Sequence, residues 1–140
     1  MAEGALVLDT HVWLWLEFGD PRLEASPAFP DIREALGRSN LLVSIISIWE
    51  VAILEAKGRI RLNQECGRWV DRALSVPGIS LRPLTPEIAI ASTRLPDGFH
   101  PDPADRMLVA TARTLGATLA TADHKIIDYG KRKHVKVLAV

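Results

Sequence analysis

The sequence has one cysteine, no excess of charge of either sign, and no long apolar run. A lone Cys66 excludes an internal disulfide framework, and it suits a reducing compartment in which it packs as a small buried or half-buried residue. No apolar stretch approaches the roughly 18–20 residues that span a bilayer, so no membrane segment is expected. The opening, MAEGALVLDT, places no basic segment ahead of a signal-type apolar stretch; the expected location is cytoplasmic. Neither G-x-G-x-x-G after the first strand nor a G-K-[ST] phosphate loop occurs, which excludes dinucleotide-binding and P-loop domains. Zinc-site spacings such as H-E-x-x-H or paired Cys/His are also missing. With no internal repeat, low-complexity stretch or linker, residues 1–140 read as a single domain.

What is present fits a globular enzyme-sized domain. The chain has 140 residues, 48% hydrophobic and 24% charged, enough to bury a sizeable core. Seventeen basic residues balance seventeen acidic ones, so the basic total of many nucleic-acid binders is absent. The distribution is uneven. Residues 1–50 carry eight acids and three bases, whereas residues 105–140 carry three acids and seven bases. An acidic front and a basic tail are compatible with a cation site beside a phosphate-facing rim, and equally with uneven solvated surface.

Short apolar runs alternate with helical patterns. Strands are expected at Ala5–Asp9, Leu41–Ser44, Ile79–Leu84, Ala117–Thr121 and Val135–Val140. Pro83 suggests that the third is an edge strand or strand end. Helices are expected from His11 to Phe18 with Thr10 as cap, Pro30 to Gly37, Ser47 to about Gly58, Gln64 to Val76, Pro86 to Leu95, Asp102 to Leu115 and Asp123 to Tyr129. Gly19, Asp20 and Pro21 break the first helix, and Gly116 stops the sixth. The alternation predicts an α/β fold around a mainly parallel sheet.

Asp9, Glu50, Asp105 and Asp123 each follow a strand or stand in the first turn of the helix after one. In a parallel sheet those positions share the carboxyl edge, where ligand sites form at a topological switch point. Carboxylates gathered in apolar settings raise one another's pKa and repel unless a cation neutralises them. Mg²⁺ or Mn²⁺, which prefer oxygen ligands, suit the role and direct water at a phosphodiester. Three of the acids also have a structural reading. Ser47 and Glu50 fit a capping box, Asp102 and Asp105 with Pro103 between them fit another helix start, and Asp123 suits a helix dipole. Asp9 alone has no obvious capping role.

Leu8-Asp9-Thr10-His11-Val12-Trp13-Leu14-Trp15, Ser47-Ile48-Trp49-Glu50, His100-Pro101-Asp102-Pro103-Ala104-Asp105-Arg106 and Thr121-Ala122-Asp123 resemble, in order and spacing, a branch of the PIN-domain toxins. These are the ribonuclease halves of toxin–antitoxin modules. The resemblance implies a three-layer α/β/α sandwich in which Asp9, Glu50, Asp105 and Asp123 bind Mg²⁺ or Mn²⁺ and activate water. It matches Thr121 to a hydroxyl-bearing position beside the last acid. It further implies an RNA substrate, a homodimer, and a small antitoxin that wraps around the toxin and obstructs the acidic groove. Asp105 is taken as the nearer metal ligand and Asp102 as the helix cap, with Arg106 orienting a phosphate or pairing with Asp102.

His11, His100, His124 and His134 are not needed by a carboxylate site, although His100 has a candidate substrate contact. Lys131-Arg132-Lys133-His134 reads either as a solvated turn or as an RNA-backbone contact. Trp13, Trp15, Trp49 and Trp69 read as core, dimer or antitoxin contacts rather than a base-stacking platform. A haloacid-dehalogenase-type phosphatase would carry an acid where His11 stands. An RNA-processing nuclease outside a toxin–antitoxin module and a silent PIN binding module remain as alternatives; the second would be expected to lack one of the four acids.

Overall fold

The computed structural model describes residues 4–140, along which five strands and eight helices are arranged. β1 (Leu6–Leu8) leads into α1 (Thr10–Phe18), α2 (Pro21–Glu24) and α3 (Phe29–Gly37). β2 (Leu41–Ser44) is followed by α4 (Ile45–Ala56) and α5 (Cys66–Leu74). After β3 (Ile79–Arg82) come α6 (Pro86–Ser92) and α7 (Pro103–Leu115), then β4 (Thr118–Thr121), α8 (His124–Lys131) and β5 (Lys136–Ala139).

The strands lie in the order β3-β2-β1-β4-β5, and every ladder is parallel. The chain moves outward from β1 to β3 and then returns to the other side of β1. That reversal makes the β1–β4 boundary the switch point, with Leu6 opposite Thr118 and Leu8 opposite Ala120.

Side-chain alternation divides the core into two layers. Leu6 and Leu8 of β1, with Leu41 and Val43 of β2, face α1, α3 and α5. Val7, Leu42 and Leu119 face the opposite way, against Leu108 and Val109 of α7 and Ile126 and Tyr129 of α8. Strands covered on both faces must be apolar throughout, which is why β1 and β2 read as unbroken hydrophobic runs. The result is a three-layer α/β/α sandwich. β3 lies at an edge as Pro83 implied, with Ser80, Leu81 and Arg82 exposed. Among the described residues no helix is long and apolar enough to cross a membrane.

Helix starts differ from expectation in an informative way. Asp9, not Thr10, caps α1, accepting a hydrogen bond from the Thr10 N–H. Ser44, not Ser47, caps α4 through the Ile46 N–H, so this helix begins directly at the end of β2. The Ser47–Glu50 capping box is therefore not formed, and both residues lie inside the helix. A capping residue keeps extended backbone angles, and the last residue of a strand already has them. The short helix α2, unforeseen, starts at Pro21 with Asp20 as cap.

Gly78 turns the chain into β3 with φ +100°, and a Cβ there would lie 2.2 Å from the Leu36 carbonyl oxygen. Gly78→Ala should therefore cost about 2–4 kcal/mol in chemical denaturation. Gly37→Ala, in a helical turn with nothing near its added methyl, should leave stability unchanged or raise it by up to about 1 kcal/mol.

Candidate active site

Asp9 stands one residue past β1 and Asp123 two past β4, on either side of the switch point. Glu50 lies one turn into α4, and Asp102 and Asp105 occupy the start of α7. These five carboxylates, with His11, Trp15 and Ala122, line one cavity of about 320 Å³. All four acids expected at the site thus come together, and Asp102 joins them.

Asp9 is buried and both its oxygens are engaged. Oδ1 accepts from the Thr10 N–H at 2.7 Å and Oδ2 from the Thr121 hydroxyl at 2.6 Å. Burial nevertheless pushes its carboxyl above the usual range, against the lowering effect of the Thr121 and Thr10 hydrogen bonds. The Thr121 hydroxyl also accepts from the Asp123 N–H at 3.0 Å, and Asp123 in turn caps α8 through the Lys125 N–H. One threonine therefore links the acid after β1 to the acid after β4.

Thr10 has the matching role toward Glu50. Its hydroxyl lies against a Glu50 carboxylate oxygen and 2.8 Å from the buried Ser47 hydroxyl. Thr10 has one hydroxyl proton; when that proton serves Glu50, Ser47 donates to Thr10. Burial raises the Glu50 carboxyl too, opposed by this hydrogen bond and helped by Asp9 and Asp102. Thr10 was foreseen only as a cap. Its place directly after a strand-end aspartate was the available signal.

Asp105 is the most strongly perturbed acid, its carboxyl pushed up to about 8. Burial is the first cause, followed by the charges of Asp9, Asp102 and Asp123 and a hydrogen bond with Asp102. His100 Nε2 sits 3.1 Å from Asp105 Oδ2, yet it has no hydrogen-bond partner among the described residues. Asp102 caps α7 through the Ala104 N–H, as expected, while its carboxylate also reaches the cavity.

Arg106 behaves differently from expectation. Its guanidinium neither pairs with Asp102 nor lines the cavity; it donates to the carbonyls of Ser92 (2.9 Å), Phe99 (2.7 Å) and His100 (3.2 Å). It clamps the segment that carries His100 and Asp102 onto α7. A planar guanidinium offers several fixed donors, and unpaired carbonyls in a half-buried loop require them.

His11 and Trp15, one helical turn apart on α1, were not foreseen as lining residues. Trp13 and Trp69 pack edge to face in the core at 5.3 Å, whereas Trp49 is 53% exposed.

The donor set fits a hard divalent cation. Five carboxylates and no thiol surround the cavity, and their mutual repulsion is what such a cation relieves. A ready coordination set is not formed: among the described residues, no three His, Cys, Asp or Glu side chains are already gathered as ligands. The chemistry fits; preformed geometry is lacking.

Residues 6–132 match the sequence pattern of the PIN domain. The chain belongs to the PIN-domain family. This PIN domain is similar to Ribonuclease VapC22 of Mycobacterium tuberculosis, with 30% identity over 132 residues, 94% of this chain and 97% of that protein. Its fold matches VapBC2 from Rickettsia felis, solved bound to a DNA fragment from its promoter, with TM-score 0.65 and 14% identity over 96% of this chain and 98% of that one. A toxin–antitoxin complex from Klebsiella pneumoniae gives TM-score 0.64 and 20% identity over 96% and 97%. At such identities the two structures establish the three-layer fold alone.

The Asp105 shift has a definite sign in this PIN domain. Its folded pKa of about 8 exceeds the unfolded one, so between about pH 4 and pH 8 only the unfolded state loses the proton and stability falls as pH rises. Metal-free Asp105→Asn should melt about 3–6 °C above the parent at pH 8 and level with it at pH 4. Scanning calorimetry at the two pH values in EDTA checks this. Arg106→Gln should lose about 2–4 kcal/mol and expose the amides of Phe99, His100 and Asp102 to faster hydrogen exchange.

Proposed function

We propose that this PIN domain is a Mg²⁺- or Mn²⁺-dependent endoribonuclease that hydrolyses RNA phosphodiester bonds and serves as the toxin of a toxin–antitoxin pair. The observation that carries the reading is the convergence of Asp9, Glu50, Asp105 and Asp123, from four separate elements, on one cavity.

Those four carboxylates would hold the metal, with Asp102 at the rim. Thr121 fixes the Asp9 oxygen that faces β4, and Thr10 fixes Glu50, so two of the acids are oriented before any ligand arrives. Asp105, its carboxyl pushed up to about 8, would give up its proton where a cation is held, and this would couple metal binding to pH. When bound, such a cation neutralises charge on the phosphodiester and lowers the pKa of a water for in-line displacement. Water's oxygen joins phosphorus, and the departing ribose oxygen takes up a proton. No side-chain nucleophile is required. The clamp of Arg106 keeps His100 and Asp102 over the start of α7, where substrate would pass.

Two likenesses support the toxin reading: the relative in Mycobacterium tuberculosis is a ribonuclease by name, and the matched structure from Klebsiella pneumoniae is a toxin–antitoxin complex. On that basis the proposed partners are a small antitoxin covering the acidic cavity and a second copy of the chain as a homodimer.

Cleavage of mixed single-stranded RNA should require Mg²⁺ or Mn²⁺, cease in EDTA, and fall on the order of 10²–10³-fold or more in Asp9→Asn. Cleavage that survives both EDTA and Asp9→Asn would overturn the mechanism. Expression in a bacterial host should arrest growth, and co-expression of the small neighbouring gene should restore it. Normal growth with an active nuclease would favour RNA processing over toxicity.

A further inference from the structure

A second cavity, of about 630 Å³, opens at the other end of the sheet. Thr118 and Lys136, which begin β4 and β5, line it with Arg113, Lys133 and His134. The acids of the active site lie past the carboxyl ends of the strands, so the two cavities occupy opposite ends. Along α7 alone, the eight steps from Asp105 to Arg113 rise about 12 Å. That distance is a few nucleotides of extended single strand.

Charge distinguishes this cavity from its surroundings. Arg113, Lys133 and Lys136 are exposed cations on its wall, and among the described residues no Asp or Glu lines it. Asp97 is turned to the ring of His134, at 2.7 Å from Nε2. Arg113 has a structural role, since it stands in the last turn of α7 and donates to the His134 carbonyl. Lys133 and Lys136 have none: neither ammonium makes an ion pair or hydrogen bond among the described residues. Lys133 also holds φ +66°, a conformation that glycine or asparagine adopts with less strain. No side-chain contact among the described residues accounts for a lysine at that position.

We propose that this basic groove is a second RNA contact, holding backbone phosphates a few nucleotides from the bond to be cut. The inference rests on the nuclease reading. A cavity lined by carboxylates repels a polyanion, and a chain of zero net charge gains affinity only where cations are gathered. Lys133 and Lys136, unpaired among the described residues, supply that place.

Fluorescence anisotropy of a labelled single-stranded RNA, in EDTA and on the cleavage-dead Asp9→Asn chain, reads binding without catalysis. Adding Lys133→Asn and Lys136→Gln should weaken binding about 5–10-fold at low salt and reduce the slope of log K against log salt by about 1–2. Asparagine keeps the left-handed turn, so the fold is spared. The same charge change at Lys57→Gln and Arg61→Gln, on a different loop, should leave both quantities unaltered. With Asp9 restored, the groove variant should raise KM and spare kcat for long RNA, and change neither for a dinucleotide too short to reach. Unchanged affinity and slope would overturn the proposal, as would an equal loss in the control pair. Tighter binding of a poly-glutamate peptide than of RNA, lost in the groove variant, would reassign the groove to an acidic protein. A chain that never cleaves RNA yet loses affinity in the groove variant would sink the nuclease reading and leave the groove standing.

Discussion

Carboxylates repel one another, and here five of them share the edge of one sheet, with threonine hydroxyls and backbone amides engaging Asp9, Glu50 and Asp123. The surrounding structure is arranged to tolerate that repulsion. Asp9, Asp102 and Asp123 are each the N-cap of a helix, α1, α7 and α8 respectively, so three helix N-termini meet at the cavity. The partial positive charge at those ends offsets part of the negative charge. Capping and cation binding are therefore not competing explanations for these residues. The same oxygen atoms that begin the helices hold the acids in place, and burial keeps Asp9, Glu50 and Asp105 above the usual carboxylate range.

The sheet provides the convergence. Because all ladders are parallel, every strand finishes at one edge, and because the order reverses at β1, the ends of β1 and β4 are neighbours. Residues 9 and 123, distant in sequence, are joined by a single threonine side chain. Each face of the sheet has its own apolar layer, so the strands that carry the acids are anchored from both sides. Rigid strands that end in charged residues are a suitable mount for a site requiring fixed oxygen positions.

A net charge of zero conceals a division between the two ends of the sheet. The carboxyl edge carries the acids, and the amino edge of β4 and β5 carries Lys133 and Lys136, unpaired among the described residues. In the proposed nuclease this separation resolves a conflict, since groups that would bind a cation and groups that would attract a nucleic acid have opposite sign and cannot share one wall.

The four acids, the alternation of strands and helices, the edge position of β3 and the αL glycine ending α7 were all legible in the sequence, because each depends on local pattern: apolar runs, turn residues and strand-end charge. Helix starts were less so. Asp9 and Ser44 cap their helices because the strands end there, and Thr10 and Ser47, read as caps, instead form the hydrogen bonds that orient Glu50. Arg106 looked like a phosphate ligand from its neighbours in sequence, but the carbonyls of Ser92, Phe99 and His100 claim its guanidinium. Sequence by itself determined which elements form and which residue types could bind a cation, since those follow from short-range periodicity and chemistry. Tertiary structure alone decided which hydroxyl serves which acid, where the Arg106 donors go, and that Lys133 and Lys136 share a groove. The hydroxyl–acid partners Thr10–Glu50 and Thr121–Asp9 lie tens of residues apart and meet only when the sheet closes around its core.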